Sequence, residues 1–138
     1  MVTDISTALT LERDGGMRIL LRFGDLVKDF HVHVIFATNK AIAEKPDALR
    51  NFLKGWFDTI AFMRANKDET VAIAKDVIGK DADITARTYD ALMPMFSDDG
   101  RFKVSALNVL AKSWVELGTL QAEPDVSKLY TEAFLPAK

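Results

Sequence analysis

Two stretches near the front of this chain are written as β-strand, "MRILLRF" at 17–23 and "HVHVIFAT" at 31–38, and from Asn39 onward the pattern turns helical and stays so. The second stretch alternates in period two. Val32, Val34 and Phe36 fall on one face, with His31, His33 and Ile35 on the other. Apolar residues therefore stand on both faces, the pattern of a strand in a sheet covered on each side. A lone pair of strands is marginal in water and needs further strands or helices to cover it. The expected fold is α/β and helix-dominated, with two short strands, five or more helices and sheet edges left open for other strands.

The helices are read from caps and periodicity. "ISTALTLER", residues 5–13, reads as a short helix closed by Gly15 and Gly16. "GDLVKD", 24–29, is a turn or a single helical turn, and "NKAIAEK" a short helix. Pro46 suits the first turn of a long helix over 46–65, whose Leu49, Phe52, Leu53, Trp56, Phe57, Ile60 and Met63 make a wide apolar stripe. Residues 68–78 form the next helix, stopped at Gly79; another follows with Asp83 as its cap and Pro94 near its end. Ser105 is expected to cap a helix over 106–117, and a last short helix is expected over 126–134.

Composition narrows the function. With 138 residues, 49% of them apolar, the chain suits one domain with a modest core. The formal net charge is −2, with acids and bases interspersed, so no basic stripe exists to grip a phosphate backbone, and nucleic acid is not an expected partner. Cysteine is absent, which removes disulfides, thiolate metal sites and a cysteine nucleophile together. The start, "MVTDISTALTLERDGG", is too polar for a secretory leader, so the chain as written is expected to lack an export signal and to stay cytoplasmic.

His31 and His33 are the two histidines, and as i and i+2 on a strand they would share a face. A metal site needs at least a third ligand; Asp25 and Asp29 lie on a short turn that fixes no geometry, and no His-Glu-x-x-His spacing occurs. The serines carry no Gly-x-Ser-x-Gly context, "RDGG" lacks the spacing of a phosphate loop, and "DDG" at 98–100 lacks the remaining ligands of a calcium loop. The aromatic stripe of the long helix reads as core. No enzyme, metal or cofactor is expected.

The order of the pieces carries more. "GDLVKDF", "VHVIFATNKAIAEKPDALRNFLKGWFDTIAFMRANKDETVAIAKD", "YDALMPMFSDDGRF", "LGTL" and "DVSKLYTEAFLP" follow one another in register. Over about residues 17–138 the chain resembles the C-terminal part of the solute-binding proteins of ABC importers, specifically the nitrate/sulfonate/taurine and thiamine-precursor group.

That resemblance implies a partial type II periplasmic-binding fold, two α/β lobes with ligand held between them, from which roughly the first half is missing. Residues 1–30 would be a remnant of the second lobe and the approach to the hinge, and 31–138 the helical part of the first lobe. His31 and His33 would sit at the hinge or cleft mouth and donate hydrogen bonds to a small anion or organic solute. Ser6 and Thr7 would face the ligand at a helix start. The Trp-Glu-Pro of the sulfonate-type members is not found near this point, which leaves the solute class open. The intact protein would be periplasmic or lipid-tethered and would deliver its solute to an ABC permease. Strand edges exposed by the missing half would favour a homo-oligomer. The alternative is a stand-alone helical interaction or oligomerisation module without ligand-binding activity.

Overall fold

In the computed structural model, which describes residues 1–137, regular structure consists of seven α-helices and two three-residue 3-10 turns. The helices are α1 (Ile5–Arg13), α2 (Phe23–Leu26), α3 (Asn39–Glu44), α4 (Pro46–Ala65), α5 (Lys67–Ile78), α6 (Ala82–Leu92) and α7 (Val104–Glu116). Several boundaries have a clear local cause. Asp4 caps α1, Thr38 caps α3 by accepting from the Ala41 N–H, and Pro46 opens α4 where no intrahelical N–H is needed. Gly79, at φ 70°, ends α5 in the left-handed conformation that a side chain would strain.

The expected α/β fold is overturned. No strand occurs among the described residues; both apolar stretches run as irregular chain, and Phe23 already belongs to α2. The reason is that a strand exists only through its neighbour. Residues 17–21 and 28–37 exchange no main-chain hydrogen bond with any described residue, so their β-branched side chains have the local preference for extension but no ladder to join. Their side chains are open to solvent as well: Leu20 is 80% and Phe36 90% exposed.

Three helix limits also differ from the sequence reading. Asp81, not Asp83, caps α6, and its carboxylate accepts from the Asp83 N–H. Helix α7 starts at Val104 without a side-chain cap, before Ser105. Beyond Asp125 the only helical segment among the described residues is the 3-10 turn Val126–Lys128, and a further turn at 133–134 closes with the Leu135 N–H on the Glu132 carbonyl; Tyr130, Glu132 and Phe134 are used in contacts with distant residues.

The described chain divides into two compact units, residues 1–21 with 56–98, and residues 22–55 with the segment from 99 onward. In the first unit α6 is central, packed against α1 on one side and α5 on another. Its Ile84 is the largest fully buried side chain, and Leu9, Ile60 and Met93 complete this small core. Ion pairs lie over it at the surface, Arg87 to Glu12 at 3.0 Å and Lys67 to Asp90 at 2.6 Å. The Tyr89 hydroxyl donates to the Met63 carbonyl at 2.7 Å and ties α6 to the end of α4.

In the second unit Ala106, Leu107 and Ala111 of α7 are buried, and α7 packs on the 3-10 turn at 126–128. The expected inner face of this helix is only partly realised: Leu107 is buried, whereas Leu117 is 78% exposed. Among the described residues no helix is long and apolar enough to cross a membrane.

Candidate ligand-binding site

Ser6 and Thr7 lie at the start of α1, in the first unit, and the chain itself already occupies that helix terminus. Asp4 Oδ1 accepts from the Thr7 N–H at 3.0 Å and from Ser6 Oγ at 2.8 Å, while Thr7 Oγ1 donates to Asp4 Oδ2 at 2.7 Å. The terminal N–H and both hydroxyls that were expected to face an anion are thus turned onto an internal carboxylate. The Thr7 hydroxyl, then its backbone N–H, then Ser6 hold the Asp4 carboxyl far below the ordinary carboxylate range.

The sign of the consequence follows. A depressed native value means that the cap's stabilisation is fully present above the ordinary value of 3.8 and is lost as pH falls through the native one. The amides of residues 5–13 are therefore expected to keep their protection in hydrogen exchange down to pH values at which ordinary carboxylates are protonated. Asp4→Asn, whose carboxamide caps without titrating, should remove the pH dependence that this site contributes, and Asp4→Ala should speed exchange at Thr7 even at neutral pH. Identical exchange in all three proteins would contradict the capping role.

His31 and His33 lie in the second unit, in the run from Phe30 to Thr38 that no helix, turn or bend interrupts. Their surroundings differ. His31 Nε2 accepts from the Lys103 N–H at 3.3 Å. The ring meets Phe102 edge-on at 5.3 Å, and Phe102 in turn lies 4.7 Å from Tyr130. The Lys103 ammonium reaches back to Asp29 at 3.2 Å, and Asp29 itself holds a positive φ of 50° at the bend where the straight run begins. His33, by contrast, is exposed to solvent.

Glu132 fixes the other side of the His31 cluster. Its Oε1 accepts from the Phe102 N–H at 2.9 Å and its Oε2 from the Arg101 guanidinium at 2.8 Å. Neither Glu132, Phe102 nor Tyr130 was singled out from the sequence, and no local signal could have done so, since Phe102 and Glu132 meet across 30 positions. Asp4 was legible, as an acceptor three residues before Thr7 at the head of a helical pattern.

Chemically, then, Ser6, Thr7 and His31 are committed to bonds within the chain, and His33, exposed to solvent, is the one of the four candidates with no hydrogen-bond partner among the described residues. Among the described residues no three His, Asp or Glu side chains converge as a metal site would require. A cavity of about 200 Å³ lies beside α3, lined by Thr38, Lys40, Ala41, Glu44 and Lys45. It is smaller than the roughly 300–1,000 Å³ typical of small-molecule pockets. No family model, curated protein or solved structure matches the chain.

Proposed function

We propose that the chain is the C-terminal part of a solute-binding component of an ABC importer, with no catalytic step of its own. Its solute is a small anion or a thiamine-precursor-like molecule, held in the intact protein by closure of two lobes and passed to a membrane permease. What supports the reading is that "VHVIFATNKAIAEKPDALRNFLKGWFDTIAFMRANKDETVAIAKD" resembles the family in the order of its pieces, and that the apolar residues 17–21 and 28–37 make no main-chain hydrogen bond to another described residue. Sequence of that kind is selected for burial, so its complement is sought in another part of the polypeptide.

The four candidate ligand residues fit a chain that binds poorly by itself. Three of them are bonded internally, and an anion approaching Ser6 and Thr7 would meet the Asp4 carboxylate. Isothermal titration with nitrate, alkyl sulfonates and pyrimidine precursors is expected to give weak or no heat. The DNA upstream of Met1 is expected to continue in frame into a leader and strand-helix units. Micromolar binding by the monomer, or unrelated upstream coding, would overturn the proposal.

A second reading, a helical interaction module without ligand binding, is favoured by the exposure of Val32, Val34, Ile35 and Phe36.

A further inference from the structure

We propose that His31 is a pH-operated latch, which holds the run at 28–37 on the segment 101–103 while its ring is neutral and releases it when the ring is protonated. The run has no main-chain hold of its own. From Lys28 to Ala37 no main-chain N–H or C=O is bonded to another described main-chain group. Two side chains supply its polar ties to distant residues: His31 Nε2 accepts from the Lys103 N–H at 3.3 Å, and Asp29 pairs with the Lys103 ammonium at 3.2 Å. The run and both ties lie within the second unit. His31 is half-buried there, with its ring 5.3 Å from that of Phe102, whereas residues 32–37 are exposed.

Protonation is incompatible with the first of these ties. A neutral imidazole nitrogen accepts through its lone pair, whereas in the imidazolium both ring nitrogens are donors. A protonated Nε2 would set one N–H against another, that of Lys103, and the bond would be lost. The carboxylates of the cluster are already engaged. Asp29 is held by Lys103, Glu132 accepts from the Phe102 N–H and the Arg101 guanidinium, and Asp99 pairs with Arg101 at 3.8 Å. Tyr130 completes the surroundings, with its ring 4.7 Å from Phe102.

Once that bond is gone, little polar contact holds the run. The Asp29–Lys103 pair has side chains 53% and 71% exposed, and ion pairs in that setting contribute little. Asp29 also holds its φ of 50°, a sparsely populated conformation for a residue with a side chain, and release of the run relieves it. The other side of the contact has a hold of its own, because Glu132 binds the Phe102 N–H whatever the state of the histidine. The part that moves is therefore 28–37, and 101–103 stays. His33, with no hydrogen-bond partner among the described residues, is the internal control.

Nuclear magnetic resonance of the full chain between about pH 8 and pH 5, the span in which histidine side chains take up a proton, tests this. As pH falls, the Lys103 amide is expected to lose exchange protection by about three- to tenfold, after correction for the pH dependence of unprotected exchange. The midpoint should be that at which the His31 ring protons themselves shift. Amides 30–37 should become more mobile over the same interval, while the helical circular dichroism is unchanged. His31→Gln, which accepts without titrating, should abolish the transition. His31→Phe, which keeps a ring but no acceptor, should leave Lys103 unprotected already at the upper end of the range. His33→Gln should leave the transition in place. A Lys103 amide indifferent to pH, a midpoint different from that of His31, or an unchanged transition in His31→Gln overturns the proposal. No solute enters this experiment, so the solute-binding reading stands or falls separately, by its own titration.

Discussion

Replacing Ile84 by alanine is expected to destabilise the first unit by about 2–5 kcal/mol, the range for truncating a buried aliphatic side chain. Ile84 is 1% exposed on α6, the helix against which both α1 and α5 pack. The substitution removes the transfer energy of the lost methyl groups and leaves a void that the neighbouring helices can only partly close. The core around it is small, so few other buried contacts share the load, and Leu9, Ile60 and Met93 are its other buried apolar side chains. Urea denaturation followed through Trp56, in a Trp114→Phe background, measures the loss for this unit. Val77→Ala on α5, where the side chain is 79% exposed, is the control and should change little. An Ile84→Ala protein with an unshifted midpoint would show that α6 is not the centre of this unit.

In the second unit the largest effect is expected from Glu132→Ala, about 1–3 kcal/mol, because a half-buried donor loses its acceptor and is not returned to water. Glu132 holds the Phe102 N–H with one oxygen and the Arg101 guanidinium with the other. Its side chain is 27% exposed, so both bonds are screened less than the other ion pairs of the surface. Losing them frees the chain at 101–103, on which the His31 ring rests through Phe102 and through the Lys103 N–H. Glu132→Gln keeps a neutral acceptor for the Phe102 N–H and should lose clearly less. Denaturation through Trp114 in a Trp56→Phe background, with exchange at the Phe102 amide, distinguishes the two. Equal losses for the alanine and glutamine variants would place the effect on charge and not on the satisfied N–H.

The candidate site was legible only residue by residue. The sequence singled out Ser6, Thr7, His31 and His33, but the bonds that decide their availability come from different kinds of neighbour. Asp4 is local to Ser6 and Thr7, and its capping role can be read from spacing. Lys103 and Phe102 reach His31 from more than 70 positions away, and nothing in the period-two pattern around the histidines announces them. The last segment shows the same limit: 126–134 has helix-forming sequence, yet Tyr130 and Glu132 serve the irregular segment at 101–103, and tertiary contact outweighs propensity there.

By itself the sequence determined what is settled within a few neighbouring residues: the full extent of α1 and α4, the left-handed stop at Gly79, and the first-turn proline at Pro46. Helix bonds close between residues four apart, so caps and periodicity carry their own information. Only the tertiary structure decided whether 17–23 and 31–38 are strands, because a strand's hydrogen bonds belong to a partner that the local sequence does not contain. Among the described residues no such partner occurs, and side chains such as Leu20 and Phe36 stand exposed to solvent.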